Sequence, residues 1–290
     1  MAASVRSGTV VVITGANSGI GKEAAVVLAR RGATVLLTSR DRANGETALD
    51  DVRRRSGAGE RVQLGNLDLA SFRSIRRFAA EVLDRHERLD VLVNNAGLIL
   101  EHRLFTDEGF EMMMGVNHIG HFLLTNLLLD RLRASAPARI VNVSSIAHRT
   151  ASVDSLRDDL MSELTFEGTR VYGESKLANV LHANELARRL AGSGVTANSL
   201  HPGIIRSGFA RDGDTTGMNV VFGVLRPFLM SPGRGARTTV HVASSPKVEG
   251  ITGRYFVRRR LRRPSAAARD ADAARWLWDE SARLVAAAGA

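Results

Sequence analysis

Thr9-Val10-Val11-Val12-Ile13-Thr14-Gly15-Ala16-Asn17-Ser18-Gly19-Ile20-Gly21 is the stretch from which the fold of this 290-residue chain can be read. A short run rich in β-branched residues passes into a glycine-spaced turn and then into a helical pattern. That order is what a dinucleotide-binding strand, turn and helix requires. Gly15 permits the tight turn, Gly19 lets the backbone approach a pyrophosphate, and Gly21 lets the helix pack closely. The first amides of the helix, around Asn17, Ser18 and Ile20, then face the phosphate charge. A glycine-rich loop alone would be weak evidence, because glycines serve any tight turn; its place directly after the first strand gives it weight.

Outward from this stretch the same rhythm repeats. A helix is expected over Gly19–Arg31 and a strand over Ala33–Thr38. A helix over Ala43–Arg55 leads to a strand near Val62–Leu64, and a helix over Ser71–His86 leads to Leu89–Val93. A helix over Asn117–Leu132 leads to Arg139–Val143, and Tyr172–Leu190 leads to Val195–Leu200. The strand runs are apolar throughout rather than alternating, so both faces are expected to be buried; with helical crossovers this makes a parallel, doubly wound α/β sheet of the Rossmann type flanked by helices. Residues 1–290 read as a single domain. Two stretches break the rhythm. A polar, charged segment over about 147–170 reads as an insertion, and about 206–235 carries an apolar patch, including Val220, Phe222, Leu225 and Phe228, that reads as a lid over a hydrophobic substrate or as a packing helix.

Composition removes several function classes. The chain has no cysteine, which excludes disulfides, zinc thiolates, iron–sulfur clusters and a thiol nucleophile, so redox chemistry here needs an organic cofactor. No apolar run reaches membrane-spanning length and the N-terminus has no signal-type core, so a cytoplasmic location and no membrane span are expected. The net charge of +10 comes mostly from arginine. Its one dense cluster is Arg258-Arg259-Arg260 with Arg262 and Arg263, and without aromatic interleaving this reads as a solvated run, not a nucleic-acid site.

The end of the second strand selects the nucleotide, since a carboxylate there accepts from a ribose 2′-hydroxyl and repels a 2′-phosphate. Here Ser39 takes the acidic position and Arg40 follows, a small donor and a fixed cation that favour NADP(H). Asp41, one residue on, reads as the cap of the next helix. Lys22 reads equally well as field near the phosphates and as a solvated side chain.

With Thr14-Gly15-x-x-x-Gly19-x-Gly21, Asn94-Asn95-Ala96-Gly97, Asn117, Ser145 and Tyr172-x-x-x-Lys176 in order, the sequence resembles the short-chain dehydrogenase/reductase family along nearly its whole length. Within it, Asn117-His118-x-Gly120-His121-Phe122, Glu174-Ser175-Lys176-Leu177-Ala178-Asn179, His201-Pro202-Gly203 and Trp276-Leu277-Trp278 resemble the retinol dehydrogenase and WW-domain oxidoreductase branch. Nothing in the sequence resembles the membrane leader of many retinol dehydrogenases or a WW module, so neither membrane residence nor retinoid turnover is expected from the resemblance.

The resemblance implies an oxidoreductase acting on a hydrophobic alcohol, ketone or aldehyde, and the residues make chemical sense of it. Carbonyl reduction needs a hydride on carbon and a proton on oxygen. Tyr172 is the candidate acid, and Lys176, four residues on and on the same helical face, is placed to favour its phenolate. Ser145 or Ser144 could donate to the substrate oxygen; the resemblance selects Ser145. Asn117 begins or interrupts a helix, and by the same resemblance it holds a lysine-linked water. The resemblance also assigns Asp68 and Leu69 to the adenine, Asn94, Ala96 and Gly97 to the flank of the cofactor, and Pro202, Gly203 and Ile205 to the nicotinamide side. No metal is expected, because His118 and His121 lack partners at ligand spacing and read as solvated or packed. The family's four-helix contact, from the helices near Asn117 and Tyr172, implies a homodimer or homotetramer. The competing reading is a non-catalytic NADP(H)-binding sensor or scaffold of the same fold.

Overall fold

The computed structural model describes residues 7–204 and 230–289. Its elements are β1 (Val10–Ile13), α1 (Gly19–Arg30), β2 (Thr34–Ser39), α2 (Arg42–Ser56), β3 (Val62–Asn66), α3 (Phe72–Arg85), β4 (Val91–Asn94), α4 (Gly120–Ala134), β5 (Ala138–Val143), α5 (Val153–Asp158), α6 (Gly168–Arg189), β6 (Val195–His201), α7 (Pro232–Ser244), β7 (Tyr255–Val257), β8 (Arg260–Arg262) and α8 (Ala271–Ala288). They form one sheet in the order β3-β2-β1-β4-β5-β6-β7-β8. All strands through β7 pair in parallel and β8 returns antiparallel. The order reverses between β1 and β4, and such a switch point opens a crevice at the carboxyl ends of the strands, where open α/β sheets take their ligands.

Alternation along β1 shows how both faces are covered. Val10 and Val12 enter one apolar layer with Leu92, Ile75, Leu124 and Leu177. Val11 and Ile13 enter the other with Leu28, Leu37 and Val240. Burial on both sides is why the strand is apolar at every position. As expected, Asp41 caps α2, accepting from the Asn44 amide at 2.7 Å, and the helix ends at Gly57 in the left-handed region.

Elsewhere the structure adds to the sequence reading. The 147–170 stretch is partly helical: a 3₁₀ turn over Ile146–Arg149 and α5 send Leu156 and Leu160 into the core, and α6 starts one turn before Tyr172. The candidate lid over about 206–235 lies almost wholly outside the described residues; its last residues open α7, which Ser231 caps. The arginine cluster is a β7–β8 hairpin, with Arg258 and Arg259 at its turn in the left-handed region and β8 exposed throughout. Among the described residues, no helix is long and apolar enough to cross a membrane.

Helix α8 docks on α6 and reaches α4. Ala273, Ala274 and Leu277 are buried, the Trp278 ring lies edge-on to Phe122 at 4.9 Å, and the Arg189 guanidinium stacks 4.4 Å from the Trp278 ring centre. This places the chain's own C-terminal helix over part of the α4–α6 face that the sequence reading assigned to a four-helix contact between subunits. Leu277 is 1% exposed. Leu277→Ala should therefore cost about 2–5 kcal/mol in denaturant unfolding, and a loss below about 1 kcal/mol would show that α8 is not integral to the core.

Candidate active site

The first β–α turn forms a cradle that side chains would fill. Gly15 has φ +60°, and a Cβ there would lie 2.9 Å from Ala96. At Gly21 a Cβ would lie 2.7 Å from the Gly15 carbonyl. Ser18 at the N-cap makes no side-chain hydrogen bond, and the first turn of α1 carries no acidic residue. The amides at this end are thus left for an anion, and the macrodipole favours one. At the end of β2 the Ser39 hydroxyl donates to the Asp41 carbonyl at 2.7 Å. Arg40 is exposed and its guanidinium has no partner among the described residues. Lys22 instead pairs with Asp51 at 3.0 Å. Asp68 accepts from the Ala70 amide at 2.9 Å and Leu69 is buried. Asn94 spends its amide nitrogen inside the sheet, on Thr125 and Asn142, and leaves its Oδ1 buried without a protein partner among the described residues. A cradle with no room for a Cβ and free helix amides fit a nicotinamide dinucleotide.

The chemistry-bearing side chains meet where β4, β5 and α6 converge. Tyr172 and Lys176 lie one turn apart on α6, with the Lys176 Nζ 5.5 Å from the centre of the Tyr172 ring. The Ser145 hydroxyl, just past β5, hydrogen-bonds the phenol. Ser144 points the other way and donates to the Lys176 carbonyl at 2.7 Å, so the two serines are distinguished by geometry. A Cβ at Gly97 would lie 2.8 Å from the Lys176 Nζ and 3.0 Å from the Asn117 Oδ1, so the bare glycine lets both groups come close to this loop. Asn117 interrupts the helix: it sits in a π turn, Gly115–Ile119, between a short turn and α4. Its side chain accepts from the Leu98 amide at 2.8 Å and donates to the Leu98 carbonyl and the Ser175 hydroxyl.

Burial drives both titratable groups toward their neutral forms. The phenol of Tyr172 is pushed up to about 12, against the smaller opposing effect of the Ser145 hydrogen bond. The Lys176 ammonium is brought down to about 7 by desolvation. The lysine, not the phenol, is therefore the group that changes charge near neutral pH.

Several supporting residues were not legible as functional. His148 donates from Nδ1 to the Ser145 carbonyl at 2.6 Å and accepts the Ser265 amide at Nε2, and His201 accepts the Ile146 amide at 3.2 Å. Two histidines thus clamp the turn that carries Ser145. His148 lies three residues past Ser145 and His201 opens the His201-Pro202-Gly203 run, but the Ser265 and Ile146 amides they accept lie far away in sequence. Pro202 is buried and Gly203 takes φ +108° at the end of β6, while Ile205 lies outside the described residues.

The short chain dehydrogenase family model matches residues 9–156. The chain belongs to this family of oxidoreductases. It is 45% identical to human retinol dehydrogenase 13 over 283 residues, covering 96% of this chain and 85% of the relative. Among solved structures, an uncharacterized protein from Mycobacterium Paratuberculosis is 37% identical with a TM-score of 0.77, covering 96% of this chain and 93% of that one. The Pseudomonas aeruginosa RhlG/NADP active-site complex is 27% identical with a TM-score of 0.68, covering 88% and 97%. The chain is thus an alcohol/carbonyl oxidoreductase similar to the retinol dehydrogenase branch.

Proposed function

We propose that this chain interconverts a hydrophobic alcohol and its ketone or aldehyde using NADP(H), with Tyr172 exchanging the proton at the substrate oxygen. The observation that carries the reading is the arrangement of half-buried Ser145 and Tyr172 with buried Lys176 beside Gly97, at the carboxyl edge of the sheet. Ser145 hydrogen-bonds the phenol and would orient a substrate oxygen against it. Tyr172, protonated across the physiological range, gives its proton in reduction. The Lys176 ammonium stabilises the phenolate left behind, and Asn117 braces the loop at Leu98. The nucleotide, held by the Gly15–Gly21 turn, Arg40 and the loop through Gly97, supplies or accepts the hydride when bound.

Two features support an apolar substrate. Ile146 and Ile204, beside Ser145 and Gly203, are 44% and 56% exposed, and relatives are named for retinol, itself an apolar alcohol. The exposed Arg40 guanidinium supports the phosphorylated nucleotide, since an unpaired cation there attracts a 2′-phosphate and has no use for a 2′-hydroxyl.

The nucleotide assignment is tested by titrating NADPH and NADH into wild type and Arg40→Ala. Wild type should prefer NADPH, and the variant should lose affinity for NADPH by roughly tenfold or more while NADH binding stays within about twofold. Equal losses for the two would remove Arg40 as the reader of the phosphate. The acid is tested by Tyr172→Phe, which removes one hydroxyl and keeps the ring. NADPH binding should survive, and turnover on a panel of apolar ketones should fall by roughly 10²–10⁴-fold. Near wild-type turnover would sink the mechanism and leave a nucleotide-binding protein.

A further inference from the structure

His121 is fully buried in the first turn of α4, and both ring nitrogens are engaged. Nδ1 lies 3.1 Å from the Asn117 carbonyl, and Nε2 lies 2.8 Å from the Thr14 hydroxyl. A carbonyl only accepts, so Nδ1 carries the proton and Nε2 is bare. Nε2 must then accept the Thr14 O–H. The alternative destination for that hydrogen, the Val93 carbonyl, is farther at 3.4 Å. The Thr14 oxygen uses its acceptor capacity on the amides of Asn95, at 2.8 Å, and Ala96, at 2.9 Å. Each atom in the chain has one role, and the direction of every hydrogen bond is determined.

The two ends of this chain lie in different parts of the site. Thr14, Asn95 and Ala96 belong to the loops that form the nucleotide cradle. Asn117 belongs to the π turn, whose side chain lies with Lys176 around Gly97. We infer that His121 is a positioning residue that ties the nucleotide loops to the Asn117 turn, so that the cofactor cradle and the Tyr172–Lys176 pair are set in register by one neutral imidazole. The inference rests on the catalytic reading of Tyr172 and Lys176 proposed above. Burial, with a smaller contribution from the nearby Lys176 charge, brings His121 down to about 4, so the imidazole stays neutral over the working range. The tautomer that the hydrogen bonds demand is thus the form present.

Because the two bonds leave from different ring atoms, two amides can separate them. In His121→Asn the side-chain amide lies near the Nδ1 position and can still donate to the Asn117 carbonyl, but it cannot reach Thr14. In His121→Gln the amide oxygen lies near Nε2 and can accept the Thr14 hydroxyl, while the Asn117 carbonyl loses its donor. NADPH affinity by nucleotide fluorescence and kcat on an apolar ketone are measured for both variants and wild type, with circular dichroism to establish folding. The inference predicts opposite splits. His121→Asn should weaken NADPH binding by about tenfold and keep kcat within about threefold. His121→Gln should keep NADPH affinity within about threefold and lower kcat by about tenfold or more, each loss being that of one buried hydrogen bond. Parallel changes in the two variants, no change in either, or failure of either to fold would overturn it by making His121 a packing residue. A wild type that binds NADPH but reduces no ketone would instead count against the catalytic reading itself, whatever the variants do.

Discussion

The hydroxyl of Thr14 is the point on which the site depends. It stands where β1 ends, accepts the backbone amides of Asn95 and Ala96 that follow β4, and is hydrogen-bonded to His121 of α4. Asn95 returns the contact, its side-chain amide donating to the Thr14 carbonyl at 2.7 Å. β1 and β4 are the paired strands between which the sheet order reverses, and the clasp joins the loops that leave their ends in opposite directions. With it, the glycine turn before α1 and the loop through Gly97 form one surface, and Ala96 comes within contact of Gly15. A buried hydroxyl with all its capacity used also specifies one arrangement, since a slipped loop would strand buried amides.

The same burial that makes the site rigid sets its electrostatics. Removing the Tyr172 phenol from water opposes its ionisation, and removing Lys176 from water opposes its charge. With the ammonium 5.5 Å from the ring centre, its charge favours the phenolate over the phenol. A charged lysine works against the burial penalty on the phenolate, and a neutral one leaves it in full. In the proposed mechanism the reactive form of the pair in reduction is protonated tyrosine beside charged lysine.

Much of this was legible because it is local. The β1–α1 turn is announced by its glycines, Asp41 by its place before a helix, and the Tyr172–Lys176 pair by one helical turn. What was illegible depends on residues far apart in the chain. The β7–β8 hairpin turns on Arg258 and Arg259 in left-handed backbone, with none of the Asn-Gly chemistry that marks such turns, so its residues read as a charge run. Helix α8 shows in sequence only as a tryptophan motif, because its partners, Phe122 and Arg189, lie on α4 and α6. Ser144 and Ser145 are chemically identical, and only the Lys176 carbonyl and the Tyr172 phenol tell them apart. His148 and His201 serve through backbone groups, and His121 through a carbonyl and a hydroxyl 107 residues away, none of which leaves a pattern in side-chain spacing.

The central claim is that buried Lys176 controls the proton on its half-buried neighbour Tyr172. It is tested most directly by the pH dependence of kcat/KM for ketone reduction between pH 6 and 9, in wild type and in Lys176→Met. Tyr172 stays protonated across this range, so the competent form is lost only as Lys176 gives up its charge. The wild-type rate should fall as the pH rises through about 7. The variant should be slower throughout and lack that limb, since no lysine remains to titrate. The same falling limb in both proteins would contradict the account, because another group would then govern the proton.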